Sequence, residues 1–294
     1  MIRLLVRALS PGERAFRNSP VPAMTTAEPE VTLSDFAEYF PHTPAALCVK
    51  ECARLSALRR HSCPGPILDV GCGDGMFARI AFADVDVWGI DIDAKEGRWA
   101  AATGSYAQVI LGDVTRATLP KSFFATCVAN CSLEHVPRID LALKNVRESL
   151  QPGGRAYLFV PNRDWAREFL SYRTLCAVGF DPAAELLRSS IDAFFKHHHL
   201  YDESGWHDVV AASGLEVEAM EPVLSTATTV AFEALLLPSL AGWLNKHMTT
   251  RWTNFPRARR LAARPVHSLI ERLLSMSSSE KTAEFLIVGR RREE

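Results

Sequence analysis

The sequence lacks an excess of charge of one sign and lacks a long uninterrupted hydrophobic run. Its 33 basic and 34 acidic side chains leave a net charge of -1, so we expect no nucleic-acid partner. The apolar stretches are short or are broken by charges and proline, which argues against a transmembrane span. With 294 residues, 48% of them hydrophobic, the chain is long enough for one large globular domain with additions.

The sequence also lacks paired cysteine motifs. It has seven cysteines, an odd number, and no C-x-x-C pair. This usage indicates reduced thiols and predicts a cytoplasmic location rather than a disulfide framework. Cys48 and Cys52 are four residues apart, as are Cys127 and Cys131, but no further ligand follows at zinc-site spacing. We therefore predict core thiols and no metal site.

Composition and periodicity divide the chain into seven parts. Residues 1–30 carry four arginines and a short apolar run, and we expect a disordered leader there. An organellar transit peptide and a true start at Met24 are the alternatives. The other parts are N-terminal helices at 31–63, a core at 64–162, a helical lid insertion at 163–200, a sixth-strand unit at 201–223, a second helical insertion at 224–281, and a last strand and tail at 282–294.

Short apolar runs alternate with helical stretches in the core. The runs "PILDVG", "VWGIDID", "AQVILGDV", "FATCVANC" and "RAYLFVPN" each have a continuous apolar stretch, which is typical of strands in a parallel sheet covered on both faces. "QPGG" before the last of them is interpreted as a turn. The alternation predicts an α/β fold with a doubly wound sheet.

A glycine turn, "ILDVGCGDGMFARI", joins the first apolar run to a helix. Glycines at alternate positions let a ligand approach the main chain at the positive end of that helix. The nicotinamide fingerprint G-x-G-x-x-G would need glycine at position 76, which is Met76. Tight packing of strand against helix is the structural alternative.

Polar residues end the following apolar runs as well. Asp91 comes about twenty residues after the glycines, where an acidic side chain would meet ribose hydroxyls. Asp113 ends the third run, beside apolar Val114, and Asn130 ends the fourth. Because these ends lie at one edge of a parallel sheet, we expect the side chains to share a crevice.

Together these motifs resemble those of the class I S-adenosylmethionine-dependent methyltransferases. "ILDVGCGDG", "GIDID", "LGDV" and "ANCSLEHV" are similar to their first four motifs, and the likeness covers about residues 66–162. The resemblance implies S-adenosyl-L-methionine as cofactor and a seven-stranded sheet of order 3-2-1-4-5-7-6 with the last strand antiparallel. It also implies contacts from Asp69, Gly71 and Gly73 to the methionine end, from Asp91 and Ile92 to the ribose, from Asp113 and Val114 to the adenine, and from Asn130 to the amino-acid moiety.

His135, in "SLEHV", is the first candidate for a catalytic residue. Methyl transfer to a hydroxyl needs a proton acceptor, and a neutral imidazole at this end of the sheet could serve as general base. Pocket lining or capping is the alternative. Glu134 either orients His135 or is an exposed charge, and Trp165 and Trp206 either wall the acceptor site or belong to the core.

Three consecutive histidines occur in "FKHHHLYD". His197, His198 and His199 cannot all face one way on a helix or strand, so we predict no three-ligand metal site. His199 is the second catalytic candidate, because it could reach the pocket where the lid returns to the core. A solvated basic segment is the alternative.

The second insertion combines an apolar stretch, interrupted by Glu233 and Pro238, with a following segment rich in arginine, tryptophan and phenylalanine. This composition suits peripheral contact of residues 228–265 with an anionic membrane. A buried lid, a homodimer face and a tunnel for an apolar acceptor are the alternatives.

These observations favour an S-adenosylmethionine-dependent methyltransferase that acts on a small-molecule, glycan or lipid-linked acceptor, with transfer to oxygen. Transfer to carbon or nitrogen and a non-catalytic cofactor-binding scaffold are the alternatives, because fold does not choose among them. A nicotinamide oxidoreductase is disfavoured by Met76.

Overall fold

The computed structural model describes residues 31–249, 252–275 and 282–293. The leader predicted at 1–30 lies outside the described residues. One sheet has seven strands: β1 (Ile67–Val70), β2 (Val87–Asp91), β3 (Gln108–Leu111), β4 (Phe124–Asn130), β5 (Leu150–Pro161), β6 (Leu215–Pro222) and β7 (Glu284–Arg291). Their order is β3-β2-β1-β4-β5-β7-β6, with β7 antiparallel to both neighbours, which confirms the predicted fold.

The described residues also form ten α-helices, which cover both faces of the sheet and carry the lid. They are α1 (Leu33–Tyr39), α2 (Ala45–Leu58), α3 (Met76–Ala81), α4 (Ala94–Ala102), α5 (Ile139–Ser149), α6 (Leu170–Ala177), α7 (Asp181–Phe195), α8 (Glu203–Ala212), α9 (Thr226–Thr249) and α10 (Pro256–Leu274). Single 3-10 turns follow β4 at Leu133–His135 and β5 at Trp165–Glu168.

Two hydrophobic cores form because neighbouring strand residues point to opposite faces. Ile67 of β1 packs with buried side chains of α1, α2 and α9, whereas Leu68 packs with those of α5 and α8. All four residues of β1 are buried, as expected for a central parallel strand. Because β1 runs parallel to β2 and β4, the carboxyl ends of these three strands lie side by side at one edge of the sheet.

Two sequence interpretations need correction. The stretch Gln151–Gly154 is the first part of β5 rather than a turn, and the pairing with β4 shifts register there between Phe124 and Thr126. The stretch around Pro238 is one continuous helix, α9, of which Thr226–Lys246 is long and apolar enough to cross a membrane by length and composition. The beginning of α9 packs into the core instead, with Phe232 fully buried.

All seven cysteines are free thiols, and Cys48, Cys52 and Cys127 are buried in the two cores. Burial raises the pKa of each of these three thiols, which keeps them protonated.

Candidate active site

The glycine turn after β1 is open to a ligand at Gly73. At Gly71 (φ +74°) an added Cβ would lie 2.3 Å from the Cβ of Ser132, and at Gly75 (φ +81°) it would lie 2.9 Å from the Cα of Ala100. Tight packing therefore accounts for these two glycines. At Gly73 (φ +52°) an added Cβ would meet no atom within 4 Å among the described residues, so its backbone is accessible.

Two cavities meet at the carboxyl ends of the parallel strands. The inner cavity, of about 500 Å³, extends from the glycine turn toward α2 and the end of α9, and its walls include Glu51 and Asn130. The outer cavity, of about 520 Å³, runs along the ends of β2 and β3. Gly71, Cys131 and His135 line both cavities. The crevice thus lies where the strand order reverses, the usual ligand position in such sheets.

Asp91 connects the outer cavity to the glycine turn. Its Oδ2 accepts a hydrogen bond from the backbone N–H of Gly73 at 2.8 Å, and its Oδ1 accepts one from the N–H of Asp93 at 2.8 Å. Each carboxylate oxygen can accept a further bond. The carboxylate is therefore held in place with capacity left for ligand hydroxyls.

Asp113 lies at the far end of the outer cavity. Its Oδ1 accepts hydrogen bonds from the backbone N–H and the hydroxyl of Thr115, both at 2.8 Å, and these bonds lower the pKa of the carboxyl. Val114 and Ile92 line the same cavity, and Ile92 is 76% exposed. This cavity therefore combines apolar walls with the carboxylate groups of Asp91 and Asp113.

The inner cavity has buried carboxyl groups of a different character. Asp69 is 2% exposed, and burial raises its pKa to about 7 although the Tyr106 hydroxyl donates to Oδ2 at 2.7 Å. Nδ2 of Asn130 donates to Oε2 of Glu51 at 2.7 Å, and burial raises the pKa of Glu51. Oδ1 of Asn130 is buried without a hydrogen-bond partner among the described residues. A positively charged donor would stabilise all three acceptors.

The sequence did not predict Glu51 and Tyr106 as residues of the site. A signal existed for the first, because "VKECAR" places three charges inside an apolar helical pattern, and charged side chains are rarely buried unless they are paired. The structure shows the pairing: Arg54 donates to both oxygens of Glu284 at 2.8 Å, and Lys50 lies 2.5 Å from the same carboxylate. The position of Tyr106 depends on tertiary packing and gives no local pattern.

His135 lies where the two cavities meet. Its Nδ1 is 3.1 Å from the carbonyl oxygen of Lys196, so in the neutral ring Nδ1 carries the proton and Nε2 has the lone pair. Burial lowers the pKa of His135, which favours the neutral form. The ring stacks on that of His197, with centroids 5.3 Å apart. A neutral imidazole with one basic nitrogen is the form that a general base requires.

Glu134 lies close to His135, whereas His199, the second candidate for a catalytic residue, lies outside the walls of both cavities. Glu134 is 1% exposed, so its interpretation as an exposed charge is wrong, but its Oε1 is 3.8 Å from Nε2 of His135, too far for a hydrogen bond. His199 is not among the described residues that line either cavity. Its ring nitrogens lie 3.0 Å from the Tyr201 hydroxyl and 3.0 Å from the Val136 carbonyl oxygen.

The two tryptophans belong to the core. The indole N–H of Trp165 donates to Asp192 at 2.9 Å, and that of Trp206 donates to the Pro161 carbonyl oxygen at 2.8 Å. Both side chains are almost completely buried. Neither one is among the described residues that line the inner or the outer cavity.

The end of α9 closes over the inner cavity. Lys246 pairs with Glu96 at 2.6 Å, and its ammonium lies 4.2 Å from the ring centroid of Trp252. Trp252 and Leu47 also line an adjoining apolar groove of about 120 Å³. The other walls of this groove include Phe194, Phe195, Phe232, Leu236 and Trp243.

Solved structures share the fold. An S-adenosylmethionine-dependent methyltransferase of Thermotoga maritima matches with a TM-score of 0.53 and 13% identity, covering 84% of this chain and 92% of that one. A geranyl diphosphate C-methyltransferase of Streptomyces coelicolor, solved with S-adenosyl-L-homocysteine, matches with a TM-score of 0.52 and 14% identity, covering 86% and 87%. At such identities the likeness concerns the fold alone.

The sequence comparisons identify the family. An uncharacterised methyltransferase of Mycobacterium tuberculosis is 36% identical over 91 residues, which are 30% of this chain and 46% of that relative, about half its length. A family model described as "methyltransferase domain" matches residues 38–220, more than half of the chain and including the glycine turn and His135. The chain therefore belongs to the methyltransferase domain family.

Proposed function

We propose that this methyltransferase transfers the methyl group to a hydroxyl of a small or lipid-linked acceptor that carries an apolar portion. The observation that supports this most is the position of His135 between the two cavities, with its Nε2 as the basic nitrogen. An oxygen acceptor needs such a group, because a hydroxyl loses its proton when its oxygen is alkylated.

The residues of both cavities fit the cofactor by charge. S-adenosylmethionine supplies an electrophilic methyl group on a sulfonium, together with a zwitterionic amino-acid end that carries an α-ammonium. In the inner cavity, the unpartnered Oδ1 of Asn130 and the carboxylates of Asp69 and Glu51 would accept from the α-ammonium. The raised pKa of each carboxyl reflects burial, and a cation beside it would favour ionisation. The open backbone of Gly73 gives the methionine end room to approach.

In the outer cavity, we assign Asp91 to the ribose hydroxyls, since its position is already fixed by two backbone N–H groups. Oδ2 of Asp113 would accept from the exocyclic amine of adenine, because Oδ1 receives both bonds from Thr115. Val114 and Ile92 would contact the apolar faces of the nucleoside. The methyl group would then face the junction of the cavities, where Gly71 and His135 lie.

The proton balance assigns one role to His135. As the acceptor oxygen forms its bond to the methyl carbon, the carbon–sulfur bond breaks and Nε2 takes the hydroxyl proton. The hydrogen bond from Nδ1 to the Lys196 carbonyl keeps the ring oriented and stabilises the resulting imidazolium. His199 has no such role in the proposal, since contacts within the protein hold both of its nitrogens.

The apolar groove indicates what kind of acceptor would bind. It continues from the inner cavity through Leu47 and Trp252, and most of its other walls are aromatic or aliphatic. An acceptor whose hydroxyl reaches His135 could place an apolar chain in this groove, where its burial would stabilise binding.

We also propose that α9 and α10 contact an anionic membrane surface. Leu237, Leu240, Leu244 and Met248 share one face of α9 at helical spacing, and the first and last are 82% and 83% exposed. Exposed arginines of α10, the helix that packs beside α9, would add electrostatic attraction. Such contact would bring a lipid-linked acceptor to the groove.

The experiment that tests the function is an acceptor screen with isotopically labelled S-adenosylmethionine. Hydroxylated compounds with and without an alkyl or prenyl chain are compared with matched amines and with compounds that offer only carbon. We expect labelled ethers from hydroxyl compounds with an apolar chain, identified by mass spectrometry and NMR. Label recovered only on nitrogen or carbon would refute oxygen transfer, and equal turnover of chain-free hydroxyl compounds would refute the role of the groove.

A further inference from the structure

Three metal-ligating side chains converge beside the junction of the two cavities. Glu134 and His135 come from the turn after β4, and His197 comes from the segment that follows α7. The ligand atoms that these residues offer all lie within 4.8 Å of one another. We propose that Glu134, His135 and His197 bind one divalent transition-metal ion of the zinc or iron(II) class.

The donor set is chemically suited to such an ion. Two histidines and one carboxylate are the protein ligands of many zinc and iron(II) sites that leave other coordination positions open. Nε2 of His135 lies 3.8 Å from Oε1 of Glu134. Because ligand atoms stand about 2.0–2.2 Å from zinc, shifts on the order of 1 Å or less would close the three around one ion.

Two buried atoms of the cluster have no partner in the described part of the chain. These are Oε2 of Glu134 and Nδ1 of His197, and both side chains are more than nine-tenths buried. Buried polar atoms in native proteins are nearly always hydrogen-bonded or bound to an ion. A metal ion in the cluster would satisfy the Glu134 carboxylate, whereas Nδ1 of His197 would need an acceptor from the protein.

A backbone carbonyl outside the cluster orients the His135 ring, as is usual for metal-binding histidines. Nδ1 of His135 faces the carbonyl oxygen of Lys196, which leaves Nε2 with the lone pair. Nδ1 of His197 lies 4.0 Å from Oδ1 of Asp192. A small approach would make Asp192 a hydrogen-bond acceptor for that nitrogen and leave Nε2 of His197 as the ligand atom.

Nearby positive charges are already neutralised. Lys50 and Arg54 both pair with Glu284, and Arg54 also donates to Glu51 at 2.9 Å. The carboxylate of Glu134 has no lysine or arginine within ion-pair distance among the described residues; the charged or chargeable group near it is the His135 ring, at 3.8 Å. A divalent ion would therefore supply the charge that Glu134 lacks.

The catalytic consequence rests on the proposed function, whereas metal binding does not. Since His135 lines both cavities, the open positions of the ion would face the acceptor hydroxyl. A metal-bound hydroxyl loses its proton far more readily than a free one, so coordination would replace the free imidazole in activating the acceptor, and the proton would pass to water as the oxygen–methyl bond forms and the carbon–sulfur bond breaks.

The test is titration of the full-length protein, freed of metal by chelation, with Co²⁺ and with Zn²⁺. We expect about one equivalent of Co²⁺ with visible d–d absorption, displaced by Zn²⁺. Glu134→Gln and His197→Ala should each weaken binding at least about tenfold. His199→Ala, a matched histidine whose nitrogens have other partners, should bind as the wild type does.

Unchanged affinity for S-adenosyl-L-homocysteine shows that a variant is folded. If Glu134→Gln proves unstable, His197→Ala, which changes a residue of the lid insertion, still tests the metal site. Absence of d–d absorption, or wild-type affinity in both variants, would overturn the inference. Stoichiometric metal binding without transfer to any hydroxyl would support the metal site while refuting the proposed function.

Discussion

The inner and outer cavities bind by different physical means. The outer one presents Asp91 and Asp113, two accessible carboxylates held by hydrogen bonds from neighbouring backbone. The inner one presents Asp69 and Glu51, two buried carboxyls whose pKa values are raised. The outer cavity is therefore ready for neutral donors such as hydroxyls, whereas in the inner one a cation beside the two buried carboxyls would favour their ionisation.

The difference follows from which elements build each cavity. The outer cavity is formed by strand ends and the turns after them, so its groups remain near solvent. The inner cavity is covered by α2 and by the end of α9, which exclude water from Glu51 and Asp69. Substitutions in the two cavities should accordingly differ in size and in pH dependence.

The largest effect is expected at the junction. His135→Ala should lower turnover by about a hundredfold or more, because the proton acceptor, or the ligand of a bound metal ion, is lost. Affinity for S-adenosyl-L-homocysteine should change less than about twofold. Steady-state kinetics on an acceptor from the screen, with calorimetry on the same preparations, measure both. His199→Ala is the control and should keep near-normal turnover; equal losses in both variants would remove His135 from the mechanism.

The next effect concerns the outer cavity. Asp91→Ala should weaken binding of S-adenosyl-L-homocysteine by about 10- to 100-fold, since hydrogen bonds to a charged acceptor are lost. Asp91→Asn keeps an acceptor for the N–H of Gly73 and should lose less. Calorimetric titration measures both, and unchanged affinity in Asp91→Ala would exclude Asp91 from the ribose site.

A pH effect should be specific to the inner cavity. The pKa of Asp69 is raised to about 7 by burial, so below pH 7 Asp69 must lose a proton before it can pair with the α-ammonium of the ligand. Affinity for S-adenosyl-L-homocysteine should therefore fall about tenfold between pH 8 and pH 6. Titration across this range measures it, and Asp69→Asn should flatten the dependence while lowering affinity at pH 8.

The same pKa has a consequence for stability. Between about pH 4 and pH 7 the folded protein holds a proton on Asp69 that the unfolded chain releases, so the free energy of unfolding should fall as pH rises through this window. Denaturant unfolding at several pH values measures this, and Asp69→Asn should reduce the slope. A slope unaffected by the substitution would place the titration elsewhere.

The smallest effect is expected at the exposed face of α9. Leu237→Ser with Met248→Ser should reduce the fraction bound to anionic vesicles by about three- to tenfold, because exposed apolar area is removed. Added salt should also release the wild-type protein from the vesicles, because it screens the attraction between basic side chains and anionic lipid. Leu141→Ser, at an exposed position of α5, is the control in the sedimentation assay. Binding that none of these changes alters would refute membrane contact by α9.

The outer cavity could be predicted from the sequence and the inner one only in part. Asp91 of the outer cavity and Asn130 of the inner one end β2 and β4, and Asp113 follows the end of β3 by two residues; such positions can be located from apolar runs alone. Glu51 lies on a helix that precedes the core by sequence, and its approach to Asn130 depends on how that helix packs. The sequence did not predict α9 as one continuous helix, because Pro238 lacks a backbone N–H and its ring usually interrupts a helix. In the structure α9 continues through Pro238.

The metal cluster illustrates the same limit. The pattern of three consecutive histidines predicts no metal site among them, whereas the meeting of His197 with Glu134 and His135 joins positions about sixty residues apart. Local spacing carries no information about such a contact. The fold prediction succeeded because strand order follows from the family motifs, whereas lid contacts depend on side chains outside them.

The most direct measurement is calorimetric titration with S-adenosyl-L-homocysteine of the wild type, Asp91→Ala and Asp69→Asn at pH 8. If one ligand spans both cavities, the wild type binds one equivalent, and both variants lose affinity, the first by about 10- to 100-fold and the second by about tenfold. A loss confined to the variant of one cavity would contradict the assignment of the two cavities to one cofactor.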